Sequence, residues 1–187
     1  MIKEEKKRLR NKIRQLKQEI SLEEKMSRSQ LIWKNLEGSD FFKNSDVIVF
    51  YWSMDDEVHT HEFIKKWAGQ KTILLPCVKG DDLELKSFAG MPSMQPGALF
   101  GIPEPIGPAF ELFSSIDLLI IPGVAFDKQC NRMGRGKAYY DKLLKTTTAM
   151  KAGVCFDFQL FDKVPVEEHD IRMDTVITES VVINRED

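Results

Sequence analysis

The sequence predicts a single α/β domain, with a mostly parallel (mixed) sheet flanked by helices and a pair of helices at its N-terminus. Residues 47–52 and 117–121 are short runs that are apolar on both faces, as in strands buried within a parallel sheet. Segments with helical spacing of apolar residues separate such runs, and this alternation favours the α/β class. With 187 residues and no linker or repeat, the chain is expected to form one domain over residues 1–187.

Residues 1–38 are predicted to form two helices that pack on the α/β core. One apolar stripe with helical spacing consists of Ile2, Leu9, Ile13, Leu16 and Ile20. A basic stripe beside it consists of Lys3, Lys6, Arg10, Arg14 and Lys17. This stripe either binds an anion or is a solvated helix face. Ser21 and Glu24 have the spacing of a capping box, which predicts a second helix that begins there and ends near Gly38. Its predicted apolar face consists of Leu22, Met26, Trp33 and Leu36.

The remaining predicted elements alternate along residues 47–178. The predicted strands are residues 47–52, 72–75, 83–86, 117–121, 152–156 and 175–178. One predicted helix begins at Thr60, which would be its N-cap, and another begins near Tyr139. Pro76 is expected to end the second strand, because proline cannot donate to a sheet ladder. Residues 89–108, with five prolines and four glycines, are expected to form a long shaped loop of the kind that usually carries function.

Composition argues against several classes of protein. The formal net charge of −2 disfavours a dedicated nucleic-acid-binding protein, and no apolar run approaches the roughly 20 residues that cross a bilayer. The basic N-terminus lacks the apolar segment of a secretory signal. Cys77, Cys130 and Cys155 are odd in number and far apart, which disfavours a disulfide framework or a cysteine-only zinc site. We therefore expect a cytoplasmic monomer that binds small molecules and neither nucleic acid nor membrane.

Residues 132–141 carry the strongest chemical signal. Their cations are Arg132, Arg135 and Lys137, and their glycines are Gly134 and Gly136. Glycine lets backbone N–H groups approach an anion, and the helix expected directly afterwards adds partial positive charge. The pattern is not a P-loop, because Asn131 and Ala138 stand where glycine and Ser or Thr are needed. It is not a dinucleotide fingerprint either, because Tyr139 occupies the place of the third glycine. The segment is therefore either a phosphate cradle or a basic surface turn that caps a helix.

Carboxylates occur where they could hold a hard cation or a ligand. Asp141 adjoins the basic loop and Asp170 lies near the end of the chain; Mg²⁺ prefers oxygen ligands and is usually shared with substrate phosphates. Residues 53–57 carry three acids directly after a buried strand, and they form either a ligand-binding loop or an acidic solvent loop. His59 and His61 have no third ligand nearby, which argues against a zinc site.

In their order along the chain, these motifs resemble those of the 5-formyltetrahydrofolate cyclo-ligase family. The resemblance covers nearly the whole chain. It rests on Lys6 and Arg10 with Leu9 between them, and on residues 51–60, 75–76, 101–105, 117–127, 132–141, 165–170 and 174–179. Each piece alone is weak, whereas the ordered set is specific.

The resemblance implies an α/β fold around a mixed sheet and a reaction that uses ATP and Mg²⁺. In that reaction 5-formyltetrahydrofolate is phosphorylated on its formyl oxygen and closes to 5,10-methenyltetrahydrofolate, with release of ADP and phosphate. The implied ATP-binding residues are Lys6, Arg10, Arg132, Met133, Gly134, Arg135, Gly136, Lys137, Ala138, Tyr139 and Tyr140. The implied folate-binding residues are Trp52, Met54, Glu57, Phe100, Arg135, Gly136, Lys137, Ala138 and Tyr139. The implied catalytic residues are Lys137, Arg135 and Glu57, and the implied magnesium ligands are Asp141 and Asp170.

Two positions depart from the family pattern. Ala138 and Cys130 both stand where that pattern usually has glycine. Glycine at 138 would serve either a positive φ or the close approach of a ligand. We predict instead that residue 138 already lies in the first helical turn, with φ of about −60°.

Two other functions remain open from the sequence. A sugar-phosphate isomerase-like enzyme would need a proton-shuttling acid/base pair and no ATP. A non-catalytic nucleotide- or folate-binding homologue would keep the ligand sites without turnover, and Lys137, Asp141 and Glu57 are all present here.

Overall fold

The computed structural model describes residues 1–99, 101–168 and 170–186 of the chain. The α-helices are α1 (Ile2–Gln18), α2 (Leu22–Gly38), α3 (Asp40–Lys43), α4 (His61–Trp67) and α5 (Tyr139–Leu144). The first strands are β1 (Val47–Val49), β2 (Thr72–Lys79), β3 (Asp82–Ser87), β4 (Met94–Pro96), β5 (Pro103–Pro105) and β6 (Leu118–Pro122). The later strands are β7 (Ala125–Asp127), β8 (Arg132–Met133), β9 (Met150–Val154), β10 (Leu160–Phe161), β11 (Thr175–Ile177) and β12 (Val182–Asn184).

A seven-stranded mixed sheet forms the centre, in the order β12-β11-β9-β6-β1-β2-β3. Neighbouring strands from β11 to β2 in this order run parallel, and only the edge strands β12 and β3 pair antiparallel. The predicted α/β class with a mostly parallel sheet is therefore confirmed. The sequence predictions missed β12 and the small three-stranded sheet β10-β7-β8.

Strand side chains alternate between two apolar layers. Ile48, Leu118 and Ile120 belong to one core layer, which α2, α3 and α4 cover. Val49 and Leu119 belong to the opposite layer, which α5 joins. Because both faces are covered, the inner strands are apolar throughout, as in other buried parallel sheets.

Helix α2 begins and ends where predicted. The Ser21 hydroxyl accepts a hydrogen bond from the backbone N–H of Glu24 at 3.1 Å, and the helix ends at Gly38. The prediction that Leu22 and Met26 face the core is wrong, because both are exposed and the buried side of the helix begins only at Ser29.

Pro76 does not end the second strand, contrary to the prediction. Strand β2 continues to Lys79, and Pro76 lies opposite Leu85 of β3. The carbonyl of Leu74 faces β1, where it accepts from the N–H of Phe50 at 2.9 Å. Backbone directions alternate along a strand, so Pro76 also faces that side, where β1 has already ended. No ladder bond is lost to the missing N–H.

Two further predictions differ in detail. The hydroxyl of Thr60 does not cap α4; it donates to the carbonyl of Tyr51 at 2.8 Å and so closes the loop between β1 and α4. The long loop over residues 89–108 contains the hairpin of β4 and β5. None of the described helices has the length and apolar character that a membrane span requires.

The sheet topology defines where a ligand site can form. From β1 the chain passes to β2 on one side and later to β6 on the other side. The carboxyl ends of β1 and β6 therefore meet at a topological switch point, which is where open α/β sheets bind ligands.

Candidate active site

A cleft of about 870 Å³ lies at this switch point, between helix α1 and the loops that follow β1, β6 and β8. It brings together most of the residues that the sequence assigned to the site. The predicted residues that line it are Lys6, Arg10, Met54, Glu57, Arg132, Gly134, Arg135, Gly136, Lys137, Ala138, Tyr139, Tyr140, Asp141 and Asp170. The basic stripe of α1 therefore faces the cleft, through Lys3, Lys6, Arg10, Arg14 and Lys17.

Three predicted residues are not among those lining residues. The indole of Trp52 stacks on the His61 ring with centroids 4.0 Å apart, and it belongs to the core layer under α2–α4. Met133 is buried in a small apolar cluster with Ala125. Phe100 lies outside the described residues. A direct folate contact by Trp52 therefore has no support from the cleft.

The two glycines of the basic loop meet different requirements. Gly136 has a φ of +101°, a conformation that L side chains rarely adopt. A Cβ at Gly134 would lie 2.9 Å from Nη1 of Arg132, so the guanidinium group would have to shift. The Gly134 carbonyl also accepts from Nε of Arg10 at 3.1 Å, which joins the loop to α1.

The prediction for Ala138 is wrong. Residue 138 has φ +56° and ψ +13°, which is the left-handed conformation, and it precedes α5 as the N-cap. Its carbonyl still accepts the first helical bond, from the N–H of Lys142 at 3.1 Å. Helix α5 starts at Tyr139, so residue 138 belongs to the turn that follows Gly136 and not to the first helical turn. An alanine in this conformation costs about 1–2 kcal/mol.

Cys130 is the other described non-glycine residue with positive φ, at +63°. Both departures from the family pattern thus stand at positions whose backbone conformation favours glycine. The turn around Cys130 is held by the Asp127 carboxylate, which accepts from the N–H groups of Gln129, Asn131 and Val164 at 2.9–3.0 Å. Arg132 lines the cleft despite the cysteine.

The buried Arg132 and the partly buried Asp141 form an ion pair. Nη2 of Arg132 lies 3.2 Å from both carboxylate oxygens of Asp141, and Nη1 donates to the carbonyl of Pro122 at 3.2 Å. Nε of Arg132 is buried and has no acceptor among the described residues. A buried donor in this state is costly unless a ligand or water supplies an acceptor.

Lys6 and Asp170 form a second ion pair, which also lines the cleft. Nζ of Lys6 donates to Asp170 at 2.7 Å and to Glu167 at 2.8 Å. Burial works to lower the pKa of Lys6, but the hydrogen bonds to Asp170 and Glu167 outweigh it and raise the pKa. Each predicted magnesium ligand therefore already has a cation beside it. Among the described residues there is no group of three or more His, Cys, Asp or Glu side chains that could hold a metal ion.

Glu57 and Arg135 connect the loop after β1 with the basic loop. Glu57 accepts from the N–H of Met54 at 3.0 Å and from Nη2 of Arg135 at 3.1 Å. Arg135 also donates to Asp56 at 2.8 Å, and Asp56 accepts from Lys17 at 3.0 Å. The loop assigned to folate and the basic loop assigned to both ATP and folate are therefore in direct contact.

Lys137 is the contrasting cation of the loop. It lines the cleft, is exposed, and forms no ion pair with any residue in the described ranges. Its charge is available to an incoming anion without the exchange of a protein partner.

Sequence reasoning missed several residues of the site. The structure adds Lys17, Asp56 and Glu167 to the cleft, together with Gly123 after β6. A Cβ at Gly123 would lie 2.5 Å from the Phe126 ring, so this glycine is needed for packing. Signals for the charged residues were present, since Lys17 belongs to the basic stripe and Asp56 precedes Glu57.

Comparison with known proteins gives a consistent result. A model of the 5-formyltetrahydrofolate cyclo-ligase family matches residues 2–179. The 5-formyltetrahydrofolate cyclo-ligase of Mus musculus is 32% identical over an alignment of 187 positions. The alignment covers 91% of this chain and 92% of the mouse chain. The 5,10-methenyltetrahydrofolate synthetase of Aquifex aeolicus superposes with a TM-score of 0.88 at 33% identity, covering 97% of this chain and 93% of that one.

A second solved structure agrees, the 5,10-methenyltetrahydrofolate synthetase of Mycoplasma pneumoniae. It has a TM-score of 0.74 at 26% identity and covers 93% of this chain and 98% of its own. The family match spans nearly the whole chain, and the fold is that of the named synthetases. The family predicted from the sequence is thus confirmed: the chain belongs to the 5-formyltetrahydrofolate cyclo-ligase family and is an enzyme of that family.

Proposed function

We propose that the protein closes 5-formyltetrahydrofolate to 5,10-methenyltetrahydrofolate in a reaction that consumes ATP and uses Mg²⁺. The observation that carries the proposal is the contact between two loops in one cleft. The loop with Glu57 presents a carboxylate, the basic loop presents cations, and Arg135 bonds to both loops. Two ligands bound to these loops would therefore lie side by side, as a transfer between them requires.

The cleft fits the phosphates of ATP. Lys6 and Arg10 approach from α1, while Lys137 approaches from the basic loop. The backbone at Gly136 is free of a Cβ, so N–H groups there can approach phosphate oxygen atoms. The buried Nε of Arg132 lacks an acceptor among the described residues, which also suits an anion.

Asp141 and Asp170 are the residues that would hold Mg²⁺. Mg²⁺ is commonly bound by one or two carboxylates, with phosphate and water oxygen atoms as the other ligands. Both carboxylates line the same cleft as the phosphate-binding cations. The ion would neutralise phosphate charge as the phosphoryl group moves.

Glu57 and residues 135–139 would hold the folate. The carboxylate of Glu57 can accept N–H groups of the pterin, and the ring of Tyr139 can cover its flat face. An amide oxygen is a poor leaving group. We infer that the formyl oxygen attacks the γ-phosphoryl group of ATP, and that ADP leaves. N10 then attacks the formyl carbon and loses its proton, and the carbon–oxygen bond breaks to release phosphate.

The residues of the cleft support this sequence of steps without a protein nucleophile. Lys137 and Arg135 stabilise the charge that develops on the phosphoryl group, and the two loops orient the reactants. We further propose that the chain acts as a cytoplasmic monomer on small molecules. Its three cysteines are unpaired thiols, which a reducing compartment preserves.

The direct test is the absorbance of methenyltetrahydrofolate after the protein is mixed with folinic acid and MgATP. We expect the band to appear only when ATP and a divalent cation are both present, with one ADP released per product. Turnover that persists in excess chelator would contradict the role of the metal. Binding of both ligands without product, or turnover of a sugar phosphate without ATP, would contradict the proposal.

A further inference from the structure

A buried lysine near the end of helix α1 meets a carboxylate that the proposed chemistry does not use. The side chain of Lys17 is 7% exposed, and its Nζ lies 3.0 Å from Oδ2 of Asp56. Burial lowers the pKa of Lys17, and the charge of Asp56 works against that shift by favouring the ammonium form. An ammonium group in this position depends on its counter-charge, because an unpaired buried charge is strongly destabilising.

The second oxygen of Asp56 binds a different part of the cleft. Oδ1 accepts from Nη2 of Arg135 at 2.8 Å. Burial alone would raise the pKa of Asp56, but the charges of Lys17 and Arg135 outweigh it and hold the pKa below its ordinary value. One carboxylate therefore joins helix α1 to the basic loop. The neighbouring Asp55 is exposed and forms no ion pair with a residue that the structure describes.

Helix α1 depends on polar contacts of this kind. Its buried side chains are two lysines, Lys6 and Lys17, and one apolar residue, Ile13. The two lysines are eleven residues apart in the sequence, which is about 16 Å along a helix. The pair of Lys6 with Asp170 fastens one end of α1, and the pair of Lys17 with Asp56 fastens the other.

We propose that Asp56 is a positioning residue for ATP, which it does not itself touch. Its carboxylate fixes the C-terminal end of α1 and the guanidinium group of Arg135 relative to each other. The cations of α1 and those of the basic loop then face the same phosphate chain. This inference rests on the proposed ATP-dependent function and adds a residue outside the ATP, folate and metal sets given above.

The test compares Asp56→Asn with the matched control Asp55→Asn in the full chain. We expect Asp56→Asn to weaken ATP binding at least about tenfold, measured by titration calorimetry, because Lys17 loses its counter-charge and α1 is released. The KM for folinic acid should change less than about threefold, since Glu57 keeps its bonds to Met54 and Arg135. Asp55→Asn should leave both constants within about twofold of the wild type.

A purely structural role gives a different result. It would lower the active fraction, and with it kcat, while leaving the ATP dissociation constant unchanged. That outcome in Asp56→Asn would overturn the inference.

A double variant tests whether Asp56 acts through Lys17. Lys17→Met removes the charge and keeps the length of the side chain. If the two residues act as a pair, Lys17→Met/Asp56→Asn binds ATP within about threefold of the weaker single variant. A double variant whose ATP affinity falls by the product of the two single decreases would contradict the pairing.

The outcomes also separate this inference from the proposed function. A wild-type chain that binds ATP but forms no methenyltetrahydrofolate would remove the proposed function, while a weakened ATP affinity in Asp56→Asn would still support the positioning role. An active wild type with unchanged ATP affinity in Asp56→Asn would overturn the inference alone. A wild type without ATP affinity would overturn both.

Discussion

The two cationic walls of the cleft are built in different ways. On the α1 wall, Lys6, Arg10 and Lys17 are each held by protein oxygen atoms at 2.7–3.1 Å. On the loop wall, Arg132 and Arg135 are also paired with carboxylates, but Lys137 is exposed and forms no ion pair with a described residue. The α1 wall is ordered before a ligand arrives, and its cations must share or exchange their partners to bind phosphate. The charge of Lys137 can instead strengthen its contact as the phosphoryl group moves. We therefore expect Lys137 to govern turnover, and the paired cations of α1 to govern binding and stability.

Lys137→Ala should have the largest effect. Loss of a charge that acts in the transition state should reduce kcat/KM for cyclisation by roughly two decades or more, with little change in thermal stability. The matched control is Lys145→Ala, an exposed lysine that follows α5 and does not line the cleft. A decrease of less than about threefold would place Lys137 outside the reaction and remove the contrast between the walls.

Lys6→Met should lower stability and ATP affinity more than it lowers kcat. The variant removes the ammonium group that Asp170 and Glu167 share. The free energy of unfolding should therefore fall by roughly 2 kcal/mol. ATP affinity should fall about tenfold, and kcat should change less than KM. Urea denaturation and initial-rate kinetics measure these quantities.

Arg8→Met is the control for Lys6→Met, because Arg8 is an exposed cation of α1 that does not line the cleft. Unchanged stability in Lys6→Met would mean that the α1 wall is not held by this ion pair.

Ala138→Gly should have the smallest effect, and it tests the backbone of the loop wall. Relief of the left-handed alanine is worth about 1–2 kcal/mol, and the extra freedom of glycine in the unfolded chain removes about 0.4–1 kcal/mol of that gain. The free energy of unfolding should therefore rise by up to about 1.6 kcal/mol, with activity within about threefold. A tenfold gain in kcat, on the order of 1.4 kcal/mol in the barrier, would instead show that the Ala138 methyl obstructs the cleft.

The reverse change, Gly136→Ala, is the matched control for Ala138→Gly. Gly136 has a φ of +101°, and an added Cβ would lie 3.5 Å from Arg10. The space is sufficient, so any loss of stability reports the backbone conformation alone. Gly136→Ala should lower the free energy of unfolding. A change of the same sign in Ala138→Gly and Gly136→Ala would contradict a backbone origin of the effect.

Features that depend on neighbouring residues were predictable from the sequence. The capping box of Ser21 and Glu24, the start of α5 at Tyr139 and the buried strands β1 and β6 follow from local spacing and composition. The gathering of Lys6, Arg135 and Glu57 in one cleft came from the family resemblance, because residues so far apart in sequence carry no local signal of contact.

Features that depend on long-range packing were not predictable. A basic stripe looks the same whether water or carboxylates face it, so the burial of Lys6 and Lys17 could not be read from the periodicity of α1. The family resemblance placed Trp52 with the folate, yet its side chain packs against His61 of α4, and only its neighbours Met54 and Glu57 line the cleft. The conformation of Ala138 depends on how the turn after Gly136 joins α5, and alanine itself gives no sign of it.

The turn around Cys130 has a consequence for how this loop can change over generations. The Asp127 carboxylate binds three backbone N–H groups of the surrounding chain, and the Cys130 carbonyl accepts from the N–H of Met173 at 2.8 Å. With so many bonds fixing the backbone, the left-handed conformation does not depend on glycine at residue 130. The cysteine side chain instead contributes buried contact with the core. A residue larger than glycine can therefore replace it in a turn whose backbone is fixed by neighbouring groups. We expect Asp127, which makes three of these bonds, to tolerate substitution poorly.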